Sequence, residues 1–342
     1  MSVDMSAVRN VLMVRLSAIG DVVHTMPVAA ALKRSFPHIR LVWAVEDRCA
    51  ELVECNCYVD EVFSLPRHAW RMRRLSPKTW LDGGSKLLEL RRRRFDLALD
   101  LQGLLKSAVV ALASGAPVRL GYHWQREGAR FLVKGVPPPT EPSHVVEQYL
   151  DVVRALGGEV EPVDFGLGIP DAAVASIRRL LRDLGVSSPY AVINPSAGHP
   201  RKRWPPERFA VVCERLRAEG VAPVLVGHSS DAPIAADIQS ACPGRVADAV
   251  GRTSLVELAA LIRDSRLHIA GDTGSVHMAA ALGVPLVALY AATDPARSGP
   301  YGCLSSVVSA YRPDGGGSLE DLSVDAVWER VVQQLDRVRS RV

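Results

Sequence analysis

The sequence predicts an α/β protein made of two successive Rossmann-like halves, with a cleft expected between them. Three observations carry this reading. Short apolar runs rich in Val, Ile and Leu alternate with amphipathic stretches along most of the chain, the pattern of strands buried on both faces of a parallel sheet. The 342 residues exceed one ordinary core and suit two. A turn-rich stretch, Gly157–Pro170, separates two runs of similar length.

In the first half, Val11–Val14, Ile39–Val45, Glu61–Leu65, Leu97–Leu101 and Val118–Tyr122 read as strands. Helical periodicity falls near Val22–Arg34, Asp47–Glu54, Lys78–Arg92 and Leu104–Ala113, and His144–Leu156 forms a further helix before the linker. The second half repeats the alternation. Strands are expected at Tyr190–Asn194, Pro223–Gly227, Arg245–Ala249, Leu267–Ala270 and Leu286–Tyr290, and helices near Ala172–Leu184, Pro206–Glu219, Ser230–Ala241, Ser254–Arg263 and Gly274–Leu282. An amphipathic helix, Val324–Arg341, closes the chain. The expected divisions are residues 1–165, 166–323 and a C-terminal helix over 324–342.

Composition narrows the function classes. Hydrophobic residues make up 48% and charged residues 23%, which is ordinary for a folded chain and unlike a disordered one. Six scattered cysteines lack the paired spacing of zinc sites and fit a reducing compartment. No signal sequence and no run long enough to span a bilayer is read, so a cytoplasmic location is expected. The net charge is only +4, yet residues 67–94 hold ten Lys or Arg against Asp82 and Glu89. Such a run is either a solvated helix face or a surface that attracts anionic lipid, sugar acids or nucleic acid. Aromatics are only 6% of the chain, with Trp70 and Trp80 alone interleaved there, which argues against nucleic acid.

Three segments carry chemistry. LSAIGDVVHT (Leu16–Thr25) follows the first strand, and small residues turn the chain before Asp21 opens a helix facing the expected cleft. Asp21 reads equally as a helix cap, and His24, one turn on, as a packed histidine. PSAGHPRKRWPPERF (Pro195–Phe209) holds Arg201, Lys202 and Arg203 at a strand end, before a helix that Pro206 is suited to start. This is a solvated basic loop or a diphosphate clamp. In HIAGDTGSVHMAAALGVPLVALY (His268–Tyr290) a strand runs through Gly271, Asp272, Thr273, Gly274 and Ser275 into a small-residue helix. Its first N–H groups and the hydroxyls of Thr273 and Ser275 make an anion site, and the next turn brings His277 to the same end. The P-loop and dinucleotide fingerprints are missing, as is any DxD pair. Basic groups and a helix N-terminus, with no metal, are therefore expected to hold a diphosphate.

In this order and at these separations, the three segments resemble the ADP-heptose:lipopolysaccharide heptosyltransferases of glycosyltransferase family nine, over nearly the whole chain. LSAIGDVVHTMP is similar to the family's opening stretch, KRWP (Lys202–Pro205) to its basic donor loop, and GDTGSVHMAAALGVP (Gly271–Pro285) to its D-[ST]-G-x-x-H-x-A-A-x-x-x-x-P signature. ATDPARSGPYG (Ala292–Gly302) looks more like the heptosyltransferase I branch.

The resemblance implies a GT-B fold with the acceptor on the N-terminal domain and ADP-heptose on the C-terminal one. It implies inverting transfer to a Kdo-containing lipopolysaccharide inner-core acceptor of the Kdo–lipid A type, with no metal or other cofactor. Peripheral contact with the anionic cytoplasmic face of the inner membrane and no nucleic-acid partner go with it. Asp21 matches the general base and Lys202 the lysine that contacts the donor phosphates. Asp272, Thr273, Gly274 and His277 match the diphosphate and sugar site, to which Ser275 and Ser196 are added, and Asp231 in GHSSDAP matches an acidic residue on the ribose. Ser17, His24, Arg67, Arg71, Arg73 and Arg74 are the acceptor-side candidates. The family often has adjacent Thr residues where this chain has Ser196 and Ala197. Two other readings stay open: a transferase using another nucleotide sugar or acceptor, and a non-catalytic nucleotide-sugar or nucleic-acid binding protein.

Overall fold

The computed structural model describes residues 3–66, 77–139, 141, 143–187, 189–197 and 203–339. The chain divides into two compact units, Met1–Gly168 and Ile169–Val342.

The first unit is a six-stranded parallel sheet. Its strands are β1 (Asn10–Val14), β2 (Arg40–Glu46), β3 (Glu61–Leu65), β4 (Leu97–Asp100), β5 (Val118–Gly121) and β6 (Lys134–Gly135), in the order β3-β2-β1-β4-β5-β6. Helices α1 (Ile19–Ser35), α2 (Asp47–Glu54), α3 (Pro77–Arg92), α4 (Leu105–Ala113) and α5 (Val145–Ala155) cover it. From Val22 to Leu32 every residue of α1 is buried, because the helix packs on α5 as well as on the sheet. A surface helix needs an apolar stripe; one enclosed on several sides is apolar all round.

The second unit repeats the plan. Strands β7 (Tyr190–Asn194), β8 (Ala222–Leu225), β9 (Ala247–Asp248), β10 (Leu267–Gly271), β11 (Leu286–Tyr290) and β12 (Val307–Ser309) pair in parallel in the order β12-β11-β10-β7-β8-β9. Counted within each unit, both sheets have the order 3-2-1-4-5-6. Helices α6 (Asp171–Asp183), α7 (Pro206–Ala218), α8 (Ala232–Ala241), α9 (Leu255–Arg263), α10 (Gly274–Ala281), the single turn α11 (Pro295–Ser298) and α12 (Val324–Arg339) surround it. The last helix belongs to this unit: Val327, Val331 and Leu335, four residues apart, join its core, and it packs on α7 and β11. Trp204 is buried nearby and donates its indole N–H to Leu322 O at 3.0 Å.

Reading strands from apolar runs missed β6 and β12. Two or three residues at a sheet edge carry too short a pattern to stand out. The expected strand Arg245–Ala249 keeps only Ala247–Asp248 in the ladder. The expected linker is tied to the first unit as far as Gly168: Tyr58 donates to Asp164 at 2.6 Å, and Asn56 pairs with Leu167.

Candidate functional site

In an open parallel sheet ligands gather at the carboxyl ends of the strands, where the strand order reverses direction. That point lies between β1 and β4 in the first unit and between β7 and β10 in the second. Ser17 and Asp21 stand at the first of these places, and Asp272, Thr273, Gly274 and Ser275 at the second.

In the first unit, β1 ends at Val14, Arg15-Leu16-Ser17 follow it, and α1 begins at Ile19. Asp21 is not the cap. It occupies the third helical position, three residues inside the start that Ala18 caps, and its Oδ2 accepts from the Ala18 N–H at 3.1 Å. The same oxygen takes an ion pair from Arg15 Nη2 at 2.8 Å, while Asp21 itself is 45% exposed. Both contacts fall on Oδ2.

Arg15 is buried, and leaving such a charge uncompensated costs several kcal/mol, on the order of 3–5. Its two terminal nitrogens are compensated, while Nε is buried without a hydrogen-bond partner among the described residues. Arg15 also donates to Leu101 O and, at 2.9 Å, to Tyr149 Oη. Burial alone would lower its pKa, but Tyr149, Asp21 and Tyr122 outweigh that and hold the guanidinium above its ordinary range. Burial in turn pushes the Tyr149 phenol up.

A second charged group sits beside Asp21. The Ser17 hydroxyl donates to buried Glu46 Oε1 at 3.1 Å, and half-buried Lys106, from the first turn of α4, reaches Ser17 Oγ at 3.3 Å and Glu46 Oε1 at 3.5 Å. Arg48 pairs with the other Glu46 oxygen at 3.3 Å. Gln102 bridges the strand ends, accepting from Leu16 N and donating to Ser17 O. Behind it, Asp100 is fully buried; burial raises its pKa against the pull of the Gln102 and Gly103 N–H groups. His24 is buried, edge-on to His144 at the start of α5, 5.2 Å between ring centroids. It lies one turn after Asp21 on α1.

In the second unit, β10 delivers Gly271, Asp272 and Thr273 to the start of α10, with Thr273 at the cap position. A helix leaves its first N–H groups without intrahelical partners, here those of Gly274 and Ser275. The Ser275 hydroxyl is turned inward: it is 3% exposed and lies 2.9 Å from Thr273 Oγ1, 3.0 Å from His268 Nε2 and 3.1 Å from Asn194 Nδ2. It therefore joins β7, β10 and α10 together, and the group it leaves for a ligand is its N–H. Asn194 Oδ1 accepts the Ser196 N–H at 3.1 Å, which sets the first turn of the loop leading to Lys202.

Burial drives the His268 pKa down to about 3, so its ring is neutral. Asp272 accepts from Thr293 Oγ1 and stands 3.9 Å from His277 Nε2. Burial and the nearby Asp272 charge hold the Tyr290 phenol far above its usual range. Asp231 is buried at the end of β8, and its Oδ2 accepts from His228 N at 2.8 Å, an internal fastening of the loop after that strand.

Lys202, Arg201, Arg67, Arg71, Arg73 and Arg74 lie outside the described residues. Arg203 Nε donates to Ala197 O at 3.1 Å, fixing the two ends of the Lys202 loop on each other. Among the described residues no three His, Cys, Asp or Glu side chains gather as a metal-ligand set, and all six cysteines are free.

Sequence reasoning overlooked Arg15, Glu46, Gln102, Lys106, Asn194, His268 and Thr293. Two of them left a signal, for His268 is an ionisable residue inside an otherwise apolar strand and Arg15 one directly after such a strand. Glu46 and Lys106 left none, since they meet Ser17 only through the sheet.

The family model for glycosyltransferase family 9 (heptosyltransferase) matches residues 86–315. The chain belongs to glycosyltransferase family 9. This family 9 enzyme is 30% identical over 305 residues to lipopolysaccharide heptosyltransferase 1 of Pseudomonas aeruginosa, covering 86% of this chain and 81% of that one. It is 29% identical over 308 residues to lipopolysaccharide heptosyltransferase 1 of Salmonella typhimurium, covering 86% and 92%. Among solved structures, a family 9 glycosyltransferase from Veillonella parvula superposes with a TM-score of 0.81 at 20% identity over 96% of this chain and 97% of that one. The E. coli heptosyltransferase WaaC with ADP gives 0.77 at 23%, over 95% and 99%. At these identities the solved structures establish the fold, GT-B, and the family match establishes a glycosyltransferase. Among the described residues no helix is long and apolar enough to cross a membrane.

Proposed function

We propose that this family 9 glycosyltransferase transfers heptose from ADP-heptose to a Kdo-containing lipopolysaccharide inner-core acceptor, with inversion and without a metal ion. The second unit takes the donor. Its observation is the one that carries the reading: a helix start built from Asp272, Thr273, Gly274 and Ser275, stiffened from beneath by neutral His268 and Asn194. Such a start favours a diphosphate by its N–H groups and dipole. The relatives named lipopolysaccharide heptosyltransferase 1 support the sugar, the acceptor class and the heptosyltransferase I branch.

The first unit takes the acceptor. Asp21 accepts the proton of the acceptor hydroxyl as that oxygen attacks the anomeric carbon from the face opposite the diphosphate. Arg15 holds its carboxylate through Oδ2. The C–O bond to the diphosphate breaks, ADP leaves with the electron pair, and Lys202 and the α10 N–H groups stabilise its charge. Lys106 and the basic 67–94 stretch suit the acidic groups of Kdo. The reaction belongs in the cytoplasm, at the inner-membrane surface.

The test is mass spectrometry of products after incubation with ADP-heptose, or with UDP-sugars, and a panel of acceptors in chelator. A heptosylated Kdo acceptor plus ADP is expected. Products from a UDP-sugar alone, or dependence on an added divalent ion, overturn the donor or the metal-free mechanism respectively.

A further inference from the structure

One side of the first unit departs from the pattern of a solvated surface. Helix α4 buries Ser107, Ala108, Val110 and Ala111 against the sheet, and its outer face repeats apolar residues at helical spacing: Leu105, Val109 and Leu112 are all exposed. A surface helix of this length normally turns polar residues outward. Its neighbours extend the patch. On one side α3 packs on α4 and exposes Leu88 at 58%; on the other the turn Ala129–Phe131 packs on α4 and exposes Phe131 at 79%. Apolar groups gathered this way mark an interaction surface.

The rim decides the occupant. Arg130 stacks on the Phe131 ring at 5.1 Å and Arg126 on Trp124 at 5.2 Å, while Arg91 lies against Gly115 just past the end of α4. Arg92, Arg94 and Lys134 are exposed near the same elements. Between residues 101 and 139 five Lys or Arg face a single carboxylate, Glu127. A second copy presenting this patch to itself would set like charges together. Aromatic and aliphatic groups ringed by arginines instead match the boundary of an anionic bilayer, where apolar side chains enter and cations meet headgroups.

We infer that the outer face of α4, with Leu88, Phe131 and their arginine rim, is the surface by which the enzyme docks on an anionic lipid membrane. The placement is apt. The first turn of α4 holds both Leu105 and Lys106, and Lys106 reaches the Ser17–Glu46 pair beside Asp21. The docking face thus begins at the rim of the acceptor-side site, so a lipid-anchored acceptor meets it on leaving the bilayer. This last point rests on the proposed function; the docking itself does not.

The experiment is co-sedimentation of the full chain with phosphatidylcholine vesicles, with and without phosphatidylglycerol. Selective binding to the anionic vesicles is expected. Leu112→Gln with Phe131→Gln should lower the bound fraction about ten-fold, and Arg126→Gln with Arg130→Gln about as much, while salt weakens the wild type. These side chains are exposed, and an unchanged melting temperature excludes misfolding. Turnover of a delipidated acceptor should be unchanged in both variants and turnover of a vesicle-borne one reduced. Equal binding to both vesicle types, or undiminished binding by both variants, overturns the inference. So does self-association in sedimentation velocity that the substitutions abolish while vesicle binding is absent. If the wild type transfers no heptose but binds anionic vesicles selectively, the docking surface stands and the proposed reaction falls.

Discussion

The two units share one strand order and differ in what stands at the carboxyl ends of their central strands. The first places charges there: Arg15 against Asp21, and Glu46 against Lys106 and Arg48. The second builds a mostly neutral network, in which a buried serine hydroxyl joins Thr273, Asn194 and an uncharged histidine beneath a helix start. Identical topology therefore carries opposite chemistry. A site that moves a proton needs an ionisable group held in one orientation, whereas a site for a diphosphate needs fixed N–H dipoles, here with the Asp272 carboxylate engaged by Thr293. The contrast supports the division of roles proposed above.

Breaking the first side should have the larger effect. Asp21→Ala is expected to lower kcat by about 10²–10⁴-fold. Its cost in stability should be on the order of 3 kcal/mol, because buried Arg15 loses its carboxylate partner and keeps only Leu101 O and the Tyr149 phenol. A thermal melt beside the kinetics separates the two; near wild-type turnover would return Asp21 to a helix-start residue. On the donor side, Lys202→Ala should raise the donor KM and cut turnover by about 10²-fold, as for loss of one preorganised donor. Unchanged steady-state constants would remove Lys202 from the phosphates.

The basic run sharpens the same contrast more gently. Neutralising two or more of Arg67, Arg71, Arg73 and Arg74 should raise the acceptor KM several-fold, on the order of what surface charges give, flatten its salt dependence and leave donor affinity alone. Identical salt slopes in wild type and variant would mark a solvated face.

The smallest effect is one of pH on stability. His268 is held near a pKa of about 3 against 6.5 in the unfolded chain. Below pH 6.5 the unfolded state binds a proton that the folded state refuses, so stability should fall as pH drops from about 6.5 toward 3. His268→Gln should show a flatter slope in denaturant melts over that window. Parallel slopes would mean that His268 is not buried in its neutral form.

Much of this was legible in the chain. Ten strands were expected from apolar runs, and each has its counterpart in a sheet; GDTGSVH marked the β10–α10 junction because small residues, a hydroxyl and a helix start occur together there. Other features were not written in any one segment. Asp21 looked like a cap because caps and first-turn carboxylates have the same composition, and only the Ala18 geometry separates them. Glu46 and Lys106 are 60 residues apart and meet because β2 ends where α4 begins. The Ser275 hydroxyl seemed a ligand group, yet its partner His268 lies seven residues earlier, facing inward from a strand.

The division of roles between the units is tested most directly by calorimetry of ADP binding to Asp21→Ala and Thr273→Val side by side. The account predicts that Asp21→Ala binds ADP within a few-fold of wild type, and that Thr273→Val, lacking the hydroxyl at the α10 start, binds it about ten-fold more weakly. Loss of ADP binding in Asp21→Ala, or wild-type affinity in Thr273→Val, would contradict it.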